Sequence, residues 1–283
     1  MSGLLGIPLG PRGSGRARYG RAMRLYAEGA LSAAQLEAYR VAAADDRRPP
    51  GDVLEDRRLP LPPDAAPAPG ALIRALVEEA DRYLAALPGP GVAEVRTLLA
   101  RWRDGPVTLP APAPNAVVAA HLAPALEAVA PDRPALAGAI AAAAPLLRWS
   151  AFEGYPPAEI GPGFLRGHAF CSILGEGGPI PAQDFDLGLF LIAPHLLYRD
   201  HAHAAPELYA PLTGPHGWRF GPGRPLVAKP AHRPVWNPPN RPHLTKVGPV
   251  PFLALYGWTR DIWQPASVLP AADWPELEAL HLG

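Results

Sequence analysis

The spacing of apolar positions changes character near residue 148. Before it, apolar residues recur every three or four positions, the repeat of one helix face. After it, they come as short aromatic and β-branched runs separated by Gly and Pro, the punctuation of short strands. In the helical part, Met23, Leu25, Tyr26, Leu31, Leu36 and Tyr39 pattern residues 21–44. Ser32 is placed to cap a second helix there, so a short helical hairpin is expected. Leu72, Ile73, Leu76, Val77, Tyr83 and Leu84 pattern residues 71–87, which stop at Pro88-Gly89. Val95, Leu98, Leu99 and Trp102 pattern 92–102. Asn115 can cap a helix reaching 130, and Asp132 with Pro134 can start another reaching 147.

Strands are expected over 164–173, 185–192, 207–212, 218–220, 226–228 and 252–258. Their close spacing argues an antiparallel sandwich or barrel. The expected architecture is therefore mainly β, with a C-terminal barrel preceded by an α-helical N-terminal region. Residues 1–60 read as a flexible basic arm with the short hairpin, the first twenty being disordered. Residues 61–148 read as a helical region packing on the barrel, 149–270 as the barrel itself and 271–283 as a tail. The proline- and charge-rich stretch 45–70 reads as a linker.

Composition narrows the function only by exclusion. The 26 basic and 26 acidic residues cancel, so no overall charge draws the chain to nucleic acid or anionic lipid. Arginine is concentrated in the first sixty residues, where a solvated arm is the expectation. A lone cysteine, Cys171, excludes an internal disulfide. The longest apolar run, 135–147, is interrupted by Gly138 and Pro145 and is too short to cross a bilayer. The N-terminal arginines follow a short broken apolar stretch, the reverse of a secretory signal. A soluble cytoplasmic protein with no nucleic-acid or membrane partner is the expectation, with a homodimer left open. The 40 prolines and the near absence of lysine, Lys229 and Lys246 alone, read as compositional bias.

Candidate chemistry is concentrated in His201-Ala-His203-Ala-Ala-Pro-Glu207-Leu-Tyr209. All four polar side chains are odd-numbered, so on one uninterrupted strand they would share a face. Two imidazoles and a carboxylate make a partial set for a divalent transition ion. His121, His195, His216 and His232 read as packing, surface or hydrogen-bonding residues.

With Gly214 after this stretch, and Pro238-Pro-Asn240-Arg-Pro-His243 further on, the pattern resembles the two motifs of the cupin superfamily. That resemblance implies a double-stranded β-helix, or jelly-roll, barrel with His201, His203, Glu207 and His243 around one ion. One strand can supply only one side of a coordination sphere, which agrees with a ligand from a neighbouring strand. Asn240 stands where cupins favour Gly, in a turn that asks for positive φ. His195 and His232 stand where the motifs usually open with Gly, and Val247 where the second usually ends in Asn.

A narrower resemblance comes from 198–218, His243-Leu-Thr and 251–262, with Trp149 and Gly154-Tyr155 upstream. These segments are similar to the cupin-type dimethylsulfoniopropionate (DMSP) lyases of marine bacteria. The resemblance implies a β-elimination that gives dimethyl sulfide and acrylate. A divalent metal (iron, manganese, nickel, cobalt or zinc) would hold the substrate carboxylate. Tyr209 is the expected base and Tyr198 the second candidate. Tyr155, Trp218, Tyr256 and Trp258 are expected to receive the sulfonium, a cation suited to aromatic faces. Another cupin metalloenzyme, an isomerase or dioxygenase acting on a small carboxylate, is the first alternative. A non-catalytic small-ligand sensor is the second.

Overall fold

The computed structural model describes residues 4–61 and 68–282, and the chain forms two compact units, Met1–Ala68 and Pro69–Gly283. Residues 1–3, 62–67 and 283, in the expected arm, linker and tail, lie outside the described residues.

In the first unit, helices α1 (Ser14–Ala27), α2 (Ala33–Ala42) and α3 (Pro50–Asp56) pack around Leu5, Ala22, Leu31, Tyr39, Val53 and Leu54. Ser32 caps α2 as expected: its side chain accepts the Gln35 N–H at 3.2 Å, and Gln35 Oε1 accepts the Ser32 N–H at 2.8 Å. Two expectations are corrected. Residues 14–20 are helical rather than disordered, and α3 lies inside the stretch read as linker. Polar anchoring accounts for the first difference. The Asp46 carboxylate accepts the backbone N–H groups of Gly13 and Gly15, each at 2.7 Å, satisfying the start of α1. The buried Arg18 donates to the carbonyls of Pro8 at 2.9 Å and Asp46 at 3.0 Å. A helix held this way carries little apolar periodicity.

The second unit opens with α4 (Pro69–Ala85), α5 (Val92–Trp102), α6 (Ala116–Val129) and α7 (Pro134–Ala143). Asn115 Oδ1 accepts the N–H groups of Val117 and Val118 at 3.0 and 3.1 Å, capping α6. Two short helices follow, α8 (Pro157–Ile160) and α9 (Pro162–Gly167). Residues 164–167 thus belong to a helix rather than to the expected strand. Pro162 fits the first helical turn, where no N–H is needed.

Two antiparallel five-stranded sheets complete the unit. The first has the order β1 (His168–Leu174), β2 (Asp186–Ile192), β9 (Phe252–Trp258), β4 (Glu207–Pro211), β7 (Val235–Asn237). The second has the order β10 (Ser267–Val268), β3 (Leu197–Ala202), β8 (His243–Lys246), β5 (His216–Arg219), β6 (Val227–Lys229). Helix α10 (Trp274–Ala279) lies in the expected tail. β3, β7, β8 and β10 fall outside the spans read from apolar runs, although the cupin resemblance implied a strand carrying His243. They are short, and β8 is polar in three of its four residues, so none carries an apolar run.

Strand alternation divides the first sheet between two cores. Leu187, Leu189, Leu191, Leu208, Leu253 and Leu255 join the apolar side chains of α4–α7. Their neighbours Phe190, Ile192, Tyr209, Phe252 and Tyr256 form a second cluster with Tyr198 and Trp218 of the other sheet and with Val247 just past β8. The first cluster is almost wholly aliphatic. The second is aromatic and surrounds the polar centre.

Candidate metal centre and cavity

The ligand stretch is not one strand. β3 ends at Ala202 in the second sheet and β4 begins at Glu207 in the first, so the segment between them crosses from sheet to sheet. The shared-face argument from odd numbering is therefore corrected. His201 and Glu207 lie in different sheets, and it is His203 and His243 that Glu207 approaches directly. A register shift between Tyr198 and His201 also brings these two rings, three residues apart, into a stack with centroids 3.8 Å apart.

His201 pairs in register with His243 of β8, and their ring centroids lie 4.0 Å apart. One nitrogen of each of His201, His203 and His243 falls within 4.8 Å of the others, and all three residues are buried. Glu207 Oε2 lies 3.3 Å from the Nε2 atoms of both His203 and His243. The turn before β8 is tied to the ligand segment by the Asn240 N–H, which donates to the His203 carbonyl at 2.8 Å.

The tautomers follow from what each ring touches. Nδ1 of His201, His203 and His243 faces the carbonyls of Arg199, Ala205 and Arg241 at 2.8, 2.8 and 2.9 Å. A carbonyl only accepts, so each Nδ1 carries a proton, and each ring in its neutral form offers an Nε2 lone pair. Nε2 of His201 and of His243 is buried without a hydrogen-bond partner among the described residues. Lone pairs facing a carboxylate oxygen are an arrangement of acceptors only, and a cation relieves it. The donor set therefore fits a divalent transition ion.

The electrostatics show what an ion would displace: burial disfavours a charged His203, but the hydrogen bond and charge of Glu207 outweigh it and raise that imidazole. Burial and the neighbouring His243 and His203 hold His201 well below the usual imidazole range. Burial opposes ionisation of Glu207, but the facing His203 and His243 overcome it, leaving that carboxyl below the usual range. Trp258 Nε1 donates to Glu207 Oε1 at 2.8 Å and fixes the carboxylate's orientation.

Beside this centre lies a cavity of about 160 Å³. Tyr155, Tyr198, Tyr209, Tyr256, Trp258 and Glu207 all line it. The Tyr155 and Tyr198 hydroxyls share a hydrogen bond of 2.8 Å. Burial pushes the Tyr209 phenol well up, and the Glu207 carboxylate adds to the shift. Trp218 is placed differently from the expectation: fully buried, it backs the Tyr209 ring at 5.5 Å and does not line the cavity.

The motif departures keep the backbone geometry that glycine would give. His195, His232 and Asn240 adopt φ of 63°, 62° and 57°. At Gly214 close approach decides, since a Cβ there would come within 2.5 Å of the Ala231 nitrogen. His216, read as a flanking surface or hydrogen-bonding residue, is buried. It accepts the Gly248 N–H at 3.2 Å and donates to Thr213 Oγ1 at 3.1 Å.

Sequence reasoning missed Asp186, Phe152, Phe170, Phe190 and Ala266 of the cavity wall. The signal for Asp186 was present in Asp186-Leu-Gly-Leu-Phe190, where alternate residues place a carboxyl on the face that carries Phe190.

Fold and site together define a cupin-type barrel, backed by a helical layer and holding a histidine–carboxylate centre. The chain belongs to the dimethylsulfoniopropionate lyase family, whose model matches residues 94–254. It is 28% identical over 124 residues to the dimethylsulfoniopropionate lyase DddQ of Ruegeria pomeroyi, covering 44% of this chain and 59% of that protein. To DddL of Cereibacter sphaeroides it is 33% identical over 151 residues, covering 50% of this chain and again 59% of the relative. The chain thus spans little more than half the length of these curated relatives. The crystal structure of DddQ from Ruegeria pomeroyi shares the fold, with TM-score 0.53 and 22% identity over 70% of this chain and 96% of that one. A chain solved among the DMSP lyases RdDddP and RnDddQII gives TM-score 0.51 and 22% identity, over 72% and 100%.

Proposed function

We propose that this protein is a carbon–sulfur lyase that cleaves dimethylsulfoniopropionate to dimethyl sulfide and acrylate. The observation that carries the reading is the set of Nε2 lone pairs of His201, His203 and His243. They gather with Glu207 at one end of an aromatic cavity that also receives Tyr209.

His201, His203, Glu207 and His243 are the residues that would hold a divalent ion. When bound, the ion supplies Lewis-acid stabilisation to a substrate carboxylate and favours ionisation of a nearby phenol. Tyr209 then removes the proton from the carbon next to that carboxylate. The C–H electron pair forms the new double bond, and the C–S pair leaves with sulfur as dimethyl sulfide. Tyr198, hydrogen-bonded to Tyr155, borders the same space and orients the reacting end. The rings of Tyr256 and Trp258 face the sulfonium, and the buried wall limits water.

Headspace detection of dimethyl sulfide from metal-loaded protein and dimethylsulfoniopropionate tests the reading. Product should form with at least one of iron, manganese, cobalt, nickel or zinc, and product with none of them overturns it.

A further inference from the structure

Asp186 stands at the start of β2 on the face that looks into the barrel, and it lines the same cavity as Glu207. Both residues pair in register with Trp258 of β9, so Asp186, Trp258 and Glu207 form one row across the first sheet. Adjacent strands lie about 4.8 Å apart, which sets the two carboxyl-bearing backbones roughly 10 Å from each other. Glu207 belongs to the metal centre, and Asp186 borders the other part of the cavity.

The hydrogen bonding of Asp186 is one-sided. Its Oδ2 accepts Ser172 Oγ–H and Tyr256 O–H, each at 3.0 Å. Its Oδ1 is buried and has no hydrogen-bond partner among the described residues. Gly175 makes room for that oxygen, because a Cβ there would come within 2.6 Å of it. Among the described residues no lysine or arginine lines the cavity, and the Trp258 N–H is already given to Glu207. Burial pushes the Asp186 carboxyl up to about 7, while Ser172 and Tyr256 pull it down. Asp186 therefore lines the pocket as a buried acid whose unpartnered Oδ1 lies against Gly175, with no lysine or arginine beside it among the described lining residues.

From this placement we infer that Asp186 recognises the positively charged end of the substrate and sets a preference for a sulfonium over a neutral thioether. The inference rests on the lyase reading above. A substrate whose carboxylate sits at the metal centre directs its other end along the row toward Asp186. A sulfonium has no hydrogen to donate, so recognition falls to charge and to ring faces, and Phe170 and Tyr256 lie edge to face beside the acid. Ser172 and the Tyr256 hydroxyl are positioning groups that hold Asp186 in place. Asp186 contributes electrostatic attraction, which matters most at the carbon–sulfur end.

The test compares two ligands, dimethylsulfoniopropionate and the neutral 3-(methylthio)propanoate, on metal-loaded protein. A Tyr209→Phe background slows turnover enough for binding to be read, and affinities are measured by calorimetry before and after adding Asp186→Asn. The expected result is a preference for the sulfonium in the parent that falls by about tenfold or more in the double variant, with thioether affinity unchanged. A preference that survives Asp186→Asn overturns the inference. So does an equal loss for both ligands, which marks a purely structural role, and so does a parent that binds neither. Absence of dimethyl sulfide from the wild-type protein bears instead on the lyase reading, because the ligand preference is read from binding and not from turnover.

Discussion

The two faces of the first sheet come from the same strands yet are built for opposite ends. On one face Leu187, Leu189 and Leu191 of β2 lie among the aliphatic side chains of α4–α7. On the other, Asp186 and Phe190 of the same strand look into the cavity. The helix-facing side keeps close to the usual rule of a stable interior, apolar packing whose few polar atoms, such as the Tyr83 hydroxyl, are hydrogen-bonded. The cavity side breaks it repeatedly, with buried imidazoles, carboxyls and phenols whose charged forms burial disfavours. Folding energy from one face holds in place a face that would not assemble on its own. The lesson is a division of labour at single-residue resolution along a strand.

Tyr209→Phe gives the sharpest test of this division. Removing the proposed general base should lower the rate of dimethyl sulfide release by roughly 10²- to 10⁴-fold. Metal content and thermal midpoint should hardly move, as the ring still packs on Trp218 and Phe190. Normal turnover by this variant would remove Tyr209 from the chemistry. Across the sheet, Leu189→Ala should do the opposite. It leaves a cavity in the fully buried helix-facing core and should cost about 2–5 kcal/mol in denaturant unfolding. The protein that remains folded should turn over near the parent rate. A large fall in kcat there would mean that the two faces are coupled.

Acid should probe the buried histidines outside the metal centre. Burial lowers His168 and His216 to about 4. Each is neutral in the fold, while an unfolded histidine titrates near 6.5. Their contribution is present in full above pH 6.5 and is lost as pH falls through about 4, roughly 3 kcal/mol each. Unfolding free energies measured from pH 7 to 4 should show this slope, and His216→Gln should reduce it. An unchanged slope in that variant would contradict the assignment. The smallest effect is expected from Trp258→Phe, which removes the donor to Glu207 Oε1 while keeping a ring. Metal affinity should fall by about 10- to 100-fold by competitive chelation, and unaltered affinity would show that Glu207 needs no such support.

Much of this was legible in the chain. Asn115 and Ser32 capped the helices expected of them because capping is a local interaction between a side chain and the next turn. The Leu-rich strands 186–192 and 252–258 lay close to their expected spans because a strand buried on both faces writes itself as an apolar run. The ligand residues stood out because their identity alone limits what they can do together.

The placement of those residues was not legible. Odd numbering suggested one strand face, whereas His201 and Glu207 occupy opposing sheets. Trp218 was expected among the binding residues but lies behind Tyr209, and Asp186, to which no role was assigned, borders the cavity. By itself the sequence determined the caps, the long apolar strands and the kinds of donor atom, since these depend on neighbours within a few residues. Only the tertiary structure decided which sheet each donor joins, which ring faces the cavity and where the unmatched acid sits. Those outcomes depend on register and on packing between segments far apart in the chain, where a shift of one residue turns a side chain to the other face.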